Sequence, residues 1–167
     1  WLSRHKTHQP QRVFLKLNSG MNRLGFAPAR YRAAYARLQA LPQVDEITLM
    51  THFSDADGAK GIAQAWDVFQ RATDGLAGER SLCNSAALLR HGQDPTYMRH
   101  GAQPGVLADW VRPGIAAYGA SPDYPEHDAA HWGLRPTITL TAKLIAVSAL
   151  QPGESVGYGS TFTTNRP

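Results

Sequence analysis

The strongest constraint on the fold is an alternation of strand-like and helix-like segments that runs through residues 12–120. Short apolar runs of strand length occur four times, at residues 13–17, 47–51, 81–83 and 108–111. Apolar residues at helical spacing lie between them, at residues 29–41, 62–72 and about 86–90. Parallel strands need crossover connections of this kind, so the order predicts an α/β layer architecture. Four such units correspond to half of a (β/α)8 barrel.

The pattern changes after about residue 133. The stretches 91–105 and 119–136 are rich in glycine or proline, which predicts irregular loops. Residues 137–147 then alternate polar and apolar side chains, which predicts a long strand with one buried face. We therefore expect a partial barrel in residues 1–133 and the start of a mostly β domain in residues 134–167.

Composition narrows the possible functions. Lysine and arginine number 17 against 13 acidic residues, without a basic block or a Cys/His finger spacing, so we expect no nucleic-acid partner. No apolar run approaches the ~18 residues that span a bilayer, and we expect no membrane partner. The single Cys83 suits a reducing, cytoplasmic compartment. The seven histidines form no H-E-x-x-H or Cys/His finger motif, which argues against a metal enzyme.

Polar and glycine-bearing clusters follow each predicted strand, at residues 16–26, 51–54, 83–85 and 112–119. Parallel α/β proteins place their working residues at the carboxyl ends of strands, so we expect these clusters to form one site. Ser85 opens a helix directly after a strand, and Gly114 and Ile115 offer further amides. Such amides and the helix dipole favour a phosphate group. The alternative for Ser85 is a plain N-cap residue.

Five segments, in this order, carry a resemblance to a known family: KLNSGMNRLGF, THFSDAD, SLCNSAALL, DWVRPGIAAYGASP and GESVGYGSTF. Together they resemble alanine racemase, a pyridoxal-phosphate enzyme with a barrel and a β domain. The resemblance implies the C-terminal half of a (β/α)8 barrel followed by the start of the β domain. It also implies interconversion of L-alanine and D-alanine by two bases, which supplies D-alanine for peptidoglycan. The family's homodimer shares its active sites across the interface.

The resemblance assigns the cofactor to residues in three of these segments. Arg112 would hold the pyridine nitrogen, and because a guanidinium stays protonated it would donate to that nitrogen and leave it unprotonated. His52 would stack on the pyridine ring, and Asn84 would support its surroundings. The phosphate would be bound by the candidate anion site, which consists of Ser85, Gly114 and Ile115.

The resemblance also assigns catalytic residues. Arg23 would lie near the cofactor's phenolic oxygen and the substrate carboxylate. Lys16 matches a position that some members carry as a carbamate, which could orient Arg23; the alternative is an unmodified lysine paired with an acid. Asn18 stands where many relatives have Asp. Tyr158 would remove or return the α-proton on the L-alanine face, acting on the partner subunit's cofactor.

One expected feature is missing from the sequence. The family's Schiff-base lysine lies in a Lys-x-x-x-Tyr-Gly segment, and no lysine of this chain has that context. We therefore expect an internal fragment that is inactive alone. Two rivals remain open: a serine or broad-specificity racemase of the same fold, and a non-catalytic barrel protein that binds pyridoxal phosphate. The predicted strand 137–147 and the Gly-Tyr-Gly segment argue against the second rival.

Overall fold

A computed structural model describes residues 2–5, 9–98 and 105–166 of the chain. Three parallel strands form its sheet in the order β1 (Gln11–Lys16), β2 (Val44–Met50) and β3 (Arg80–Ser81). Lys16 pairs with Met50, and Met50 pairs with Ser81. This confirms the predicted parallel α/β arrangement. The fourth predicted strand, 108–111, is reduced to a single parallel bridge between Trp110 and Ser81.

Helices connect the strands where the apolar spacing predicts them. α1 spans Pro28–Gln39 and begins with a proline, whose fixed φ suits the first turn. α2 spans Ala63–Thr73 and buries one apolar face. The third predicted helix is short and continues as a π-helical turn over Ala87–His91. A four-residue helix, α3, spans Gly114–Ala117.

The core lies between the sheet and these helices. Tyr31 of α1 is buried, and its hydroxyl donates to the Leu15 carbonyl at 2.8 Å, so its polar atom is satisfied inside the core. On α2 the rings of Trp66 and Phe69 stack with centroids 6.3 Å apart. The largest fully buried apolar side chains are Tyr31, Phe53, Phe69, Leu17, Leu49, Ile62, Leu82 and Val106.

The predicted strand at 137–147 is wrong for this chain. Those residues form no strand, and the side chains of Leu140 and Ile145 are 97% and 100% exposed. Only the start of the segment is held, by Thr137, whose amide donates to the Tyr118 carbonyl at 3.3 Å. Alternation creates an apolar face, but a strand also needs a neighbouring strand to bond its backbone, and none of the described residues supplies one.

The rest of the chain is loops and short turns. The predicted loop 91–105 contains a 3₁₀ turn at Pro95–Tyr97, and its residues 99–104 lie outside the described part. Near the end, β4 (Ser155–Val156) and β5 (Phe162–Thr163) form an antiparallel hairpin. No helix among the described residues is long and apolar enough to cross a bilayer.

Candidate active site

The carboxyl ends of the parallel strands meet at one edge of the sheet. Lys16 is the last residue of β1, and Thr51 follows β2, where its amide donates to the Ser81 carbonyl at 3.3 Å. The Arg112 amide donates to the Cys83 carbonyl at 2.8 Å, which brings the Arg112 segment to the same edge. Four clusters that are distant in sequence therefore become neighbours, as expected of a parallel sheet.

Arg112 lies at the centre of this edge. Its Nη1 donates to the Ser81 hydroxyl at 2.6 Å, and its Nη2 donates to the carbonyls of Thr51 and Leu82 at 2.7 and 3.2 Å. Burial lowers the pKa of Arg112, but a guanidinium remains charged at any working pH. No carboxylate of the described residues forms an ion pair with it, so its positive charge is not neutralised by the protein.

Lys16 and His52 lie in the same positive field. Burial lowers the pKa of Lys16, and Arg23 and Arg112 lower it further. Burial also lowers the pKa of His52, followed by the charges of Arg112, Lys16 and Arg23. A neutral His52 ring accepts at Nε2, 3.4 Å from the Asn84 side-chain nitrogen, which can only donate. The site therefore combines three cationic side chains with an imidazole that favours its neutral form.

Asn84 positions the start of the third helical segment. Its Oδ1 accepts from the Ala87 amide at 3.0 Å, which is the hydrogen bond of an N-cap residue, and its Nδ2 donates to the Phe53 carbonyl at 2.8 Å. The capping role considered for Ser85 thus belongs to Asn84. The buried Ser85 hydroxyl instead accepts from the Ala116 amide of α3 at 3.1 Å.

Ser85 and α3 are therefore neighbours, with Gly114 at the first position of the helix. A Cβ added at Gly114 would meet no atom within 4 Å, so the space beside this backbone is open. The Ile115 side chain is 49% exposed. The structure thus brings Ser85, Gly114 and Ile115 together in an open corner. That this corner binds an anion stays a prediction.

Arg23 lies on a closed loop that follows β1. The Asn18 amide donates to Phe26 and the Phe26 amide donates to Lys16, at 2.9 and 2.8 Å, which ties the loop ends together. Gly25 allows this approach: its φ is +118°, and a Cβ there would lie 2.9 Å from the Lys16 oxygen. Arg23 itself is exposed.

Asn18 organises the interior of that loop. Its Oδ1 accepts from the amides of Gly20 and Asn22, and its Nδ2 donates to Asn22 Oδ1 at 2.9 Å. The last bond requires an amide, because an ionised aspartate cannot donate. The departure from the family's Asp noted in the sequence therefore has a structural use here.

Tyr158 lies apart from the other candidates. It is fully exposed on the turn between β4 and β5, and it contacts none of the site residues named above. Gly157 and Gly159 on either side adopt φ of +75° and +72°, which explains why glycine flanks the tyrosine.

Sequence reasoning missed the residues that hold Arg112. Ser81 is a small side chain inside an apolar run, and only the strand register places its hydroxyl beside the guanidinium. Cys83 is buried, and burial raises the pKa of its thiol to about 12, which disfavours the reactive thiolate. A buried cluster around Asp123 was also missed, although the spacing of Asp123 and His127 was visible in the sequence.

Fold and site together define a class: a parallel α/β barrel segment with a cluster of cationic side chains at the carboxyl edge of its strands. The chain belongs to the alanine racemase family, because the family model described as "Alanine racemase, N-terminal domain" matches residues 1–122. Since that domain forms part of a TIM barrel, the parallel strands described above are part of such a barrel.

Individual relatives support the same membership. An alanine racemase of Methylibium petroleiphilum is 64% identical over 167 residues, and one of Paracidovorax citrulli is 63% identical over the same length. Each alignment covers 100% of this chain and 43% of the relative. The crystal structure of biosynthetic alanine racemase from Pseudomonas aeruginosa superposes with a TM-score of 0.75 at 41% identity, covering 96% of this chain and 42% of that one. The chain thus spans less than half the length of these relatives.

Proposed function

We propose that this chain is part of an alanine racemase that uses pyridoxal 5'-phosphate to interconvert L-alanine and D-alanine. The observation that carries the proposal is the Arg112 guanidinium, fixed by three neutral acceptors at the edge where the strand-end clusters meet. Family membership and the named relatives support the same activity. In this role the protein supplies D-alanine for cell-wall peptidoglycan and acts in the cytoplasm.

The residues at this edge fit the cofactor's chemical groups. A phosphate monoester needs donors and open space, which the Ser85 hydroxyl and the backbone at Gly114 and Ile115 provide. A pyridine nitrogen that stays unprotonated needs a permanent donor, which Arg112 provides. An aromatic cofactor ring can stack on another planar ring. The His52 imidazole is half-buried at this same edge of the sheet, with Asn84 beside it. When bound, pyridoxal phosphate accepts electron density released as the substrate's α-proton leaves.

Arg112 limits the reaction through its charge. Three of its five N–H groups are used by Ser81, Thr51 and Leu82, which fixes the plane of the guanidinium. Because it donates and does not give up its proton, it keeps the bound ring a moderate electron acceptor. Such restraint favours return of the α-proton over side reactions.

Arg23 and Lys16 serve the substrate side of the site. In this proposal Arg23 binds near the substrate carboxylate, and the closed loop that carries it begins directly after β1, beside Lys16. We propose that Lys16 reacts with carbon dioxide to form a carbamate, releasing a proton. Its lowered pKa favours the reactive neutral amine, and its described electrostatic neighbours are the cations Arg23 and Arg112 rather than an acid. A carbamate would be stabilised by both.

Tyr158 is the proposed base on the L-alanine face, where its Oη takes or returns the α-proton. Full exposure in this chain agrees with action on a partner subunit's site in a homodimer. The opposite base is the Schiff-base lysine, which this chain lacks. We propose that residues 1–133 are the C-terminal half of the barrel, that residues 134–167 begin the β domain, and that the chain is inactive alone.

The decisive experiment measures racemisation by a full-length protein that contains this chain. With pyridoxal phosphate present, L-alanine should be converted to D-alanine at a far higher kcat/KM than L-serine or L-lysine. The isolated 167-residue chain should show no turnover. Preference for serine, or equal rates on all three, would instead identify a serine or broad-specificity racemase. Cofactor binding without racemisation of any amino acid would identify a binding protein.

A further inference from the structure

A buried carboxylate lies outside the site, in the irregular stretch that follows α3. The Asp123 side chain is completely buried. Its Oδ1 accepts from the Ser121 hydroxyl at 2.8 Å and from Trp132 Nε1 at 2.9 Å, and its Oδ2 accepts from His127 Nδ1 at 2.6 Å. A charge buried with this many donors is rare in a surface loop, because desolvation is costly unless each lone pair is satisfied.

Arg90 reaches the same carboxylate from another segment. Its Nη1 lies 3.4 Å from Asp123 Oδ2 and 3.2 Å from Glu126 Oε2, and it donates to the Asp57 carbonyl at 2.5 Å. The Arg90 side chain is only 20% exposed. This pair is therefore shielded from solvent, unlike most surface ion pairs.

The cluster is built as an ion pair rather than a metal site. Ligand-type atoms of Asp123, Glu126 and His127 lie within 4.8 Å of one another. Both Asp123 oxygens already accept hydrogen bonds, however, and the Arg90 cation contacts the carboxylates of both Asp123 and Glu126. Burial raises the pKa of Asp123, but the hydrogen bonds from His127, Trp132 and Ser121 outweigh it and hold the pKa at about 2. The carboxylate is charged at neutral pH.

The pair connects the two segments that form the anion corner. Arg90 lies one turn after Ser85 on the same helical segment, and Asp123 follows α3 along the chain. The Ala120 amide donates to the Ile115 carbonyl at 3.3 Å, which couples the Asp123 stretch back to α3. Besides the contacts of Arg90, the Ala116 amide donates to the Ser85 hydroxyl, and the Arg112 amide just before α3 donates to the Cys83 carbonyl. Both bonds lie at the start of the helical segment, so the Arg90 contact adds a charged restraint near its other end.

We propose that Arg90 and Asp123 are positioning residues that hold α3 against Ser85, so that both present their donors to a phosphate monoester. The inference rests on the proposed function, because it takes the corner of Ser85, Gly114 and Ile115 as the place where the cofactor phosphate binds. Neither residue touches the ligand; both act through the distance between the two segments.

The test compares pyridoxal 5'-phosphate with pyridoxal, which lacks the phosphate, as ligands of the apo form of a full-length protein containing this chain. Arg90→Gln should weaken binding of pyridoxal phosphate by about tenfold or more, the effect of losing a charge-assisted contact. Binding of pyridoxal should stay unchanged. Arg90→Lys keeps the charge and should recover part of the loss. Asp123→Asn should behave like Arg90→Gln, and because burial of Asp123 makes that variant prone to misfolding, Arg90→Gln decides the matter.

Two control variants distinguish a failure of the positioning role from a failure of the proposed phosphate site. Arg12→Gln removes an exposed ion pair with Glu46 far from the corner and should change neither affinity. Ser85→Ala should reduce the preference for the phosphate-bearing ligand. If Ser85→Ala does so and Arg90→Gln does not, the positioning role is overturned and the proposed function stands. If Ser85→Ala has no effect, the phosphate site itself fails. Equal loss of both ligands in Arg90→Gln would show a merely structural role and overturn the inference.

Discussion

Residues 11–119 and residues 134–166 both contain apolar runs that predict strands, yet only the first region buries them. In the first region β1, β2 and β3 pair in register and bury Leu15, Leu17 and Leu49. In the second, the regular alternation at 137–147 leaves Leu140 and Ile145 in solvent. A periodic pattern therefore specifies which face of a segment is apolar, whereas burial also requires a neighbouring element that covers that face.

The two regions also hold two different kinds of proposed functional residue. Arg112 is held by neighbours within the first region, so its geometry is complete in this chain. Tyr158 lies in the second region and is fully exposed, so its side chain is not packed against the rest of the described residues. We therefore expect substitutions at the two positions to differ in their effects on turnover and on cofactor affinity.

The largest effect is expected at Tyr158. In a full-length protein containing this chain, Tyr158→Phe should reduce turnover from L-alanine by about 100- to 10,000-fold, the usual contribution of a general acid or base. Cofactor affinity should be unchanged, because the side chain contacts none of the proposed cofactor residues. The matched variant Arg112→Lys should lose cofactor affinity as well as turnover, since an ammonium has three donors and the three protein acceptors would leave none for the pyridine nitrogen. If both variants lost turnover and cofactor affinity to the same extent, Tyr158 and Arg112 would not have the different roles proposed for them. Steady-state kinetics and cofactor titration give both readouts.

The second-largest effect concerns stability, which a pair of leucine substitutions compares between the two regions. Leu49→Ala removes a fully buried side chain and should lower the free energy of unfolding of this chain by about 2–5 kcal/mol. Leu140→Ala removes a side chain that is 97% exposed, and should change it by less than about 0.5 kcal/mol. Urea unfolding followed by circular dichroism measures both. A comparable loss in both variants would mean that segment 137–147 is packed after all.

These regions also show what a sequence can and cannot predict. The meeting of Lys16, His52, Ser85 and Arg112 could be predicted, because parallel strands bring their carboxyl ends to one edge. The role of Ser81 could not, because it depends on the register of β3 against β2 and on the path of the chain at Trp110. The Asp123 cluster depends on an irregular stretch folding back on itself, which no periodic pattern describes.

The third prediction isolates the anion corner. Gly114→Ala adds a methyl group that meets no atom within 4 Å, so stability should change by less than about 0.5 kcal/mol. If a phosphate approaches that backbone, the methyl group should weaken binding of pyridoxal phosphate to a full-length protein by about tenfold, or ~1.4 kcal/mol. Gly58→Ala is the control, since the added methyl there meets its nearest atom at an ordinary 3.8 Å. Unchanged cofactor affinity in Gly114→Ala would place the phosphate elsewhere. Melting curves and cofactor titration supply the two measurements.

The smallest effect concerns the positive field around His52. Its pKa in the folded chain is lowered by burial and by the charges of Arg112, Lys16 and Arg23. The unfolded chain therefore binds the proton more readily, so the stability linked to His52 is fully present above pH ~6.5 and is lost as the pH falls through the folded value. His52→Gln should remove this part of the pH dependence. Between pH 7 and pH 5 the unmodified chain should lose more stability than the variant, by at most about 1.4 kcal/mol per pH unit. Parallel losses in the two proteins would mean that the cations of the first region do not act on this ring, and that the strand-end cluster is more open than its backbone geometry implies.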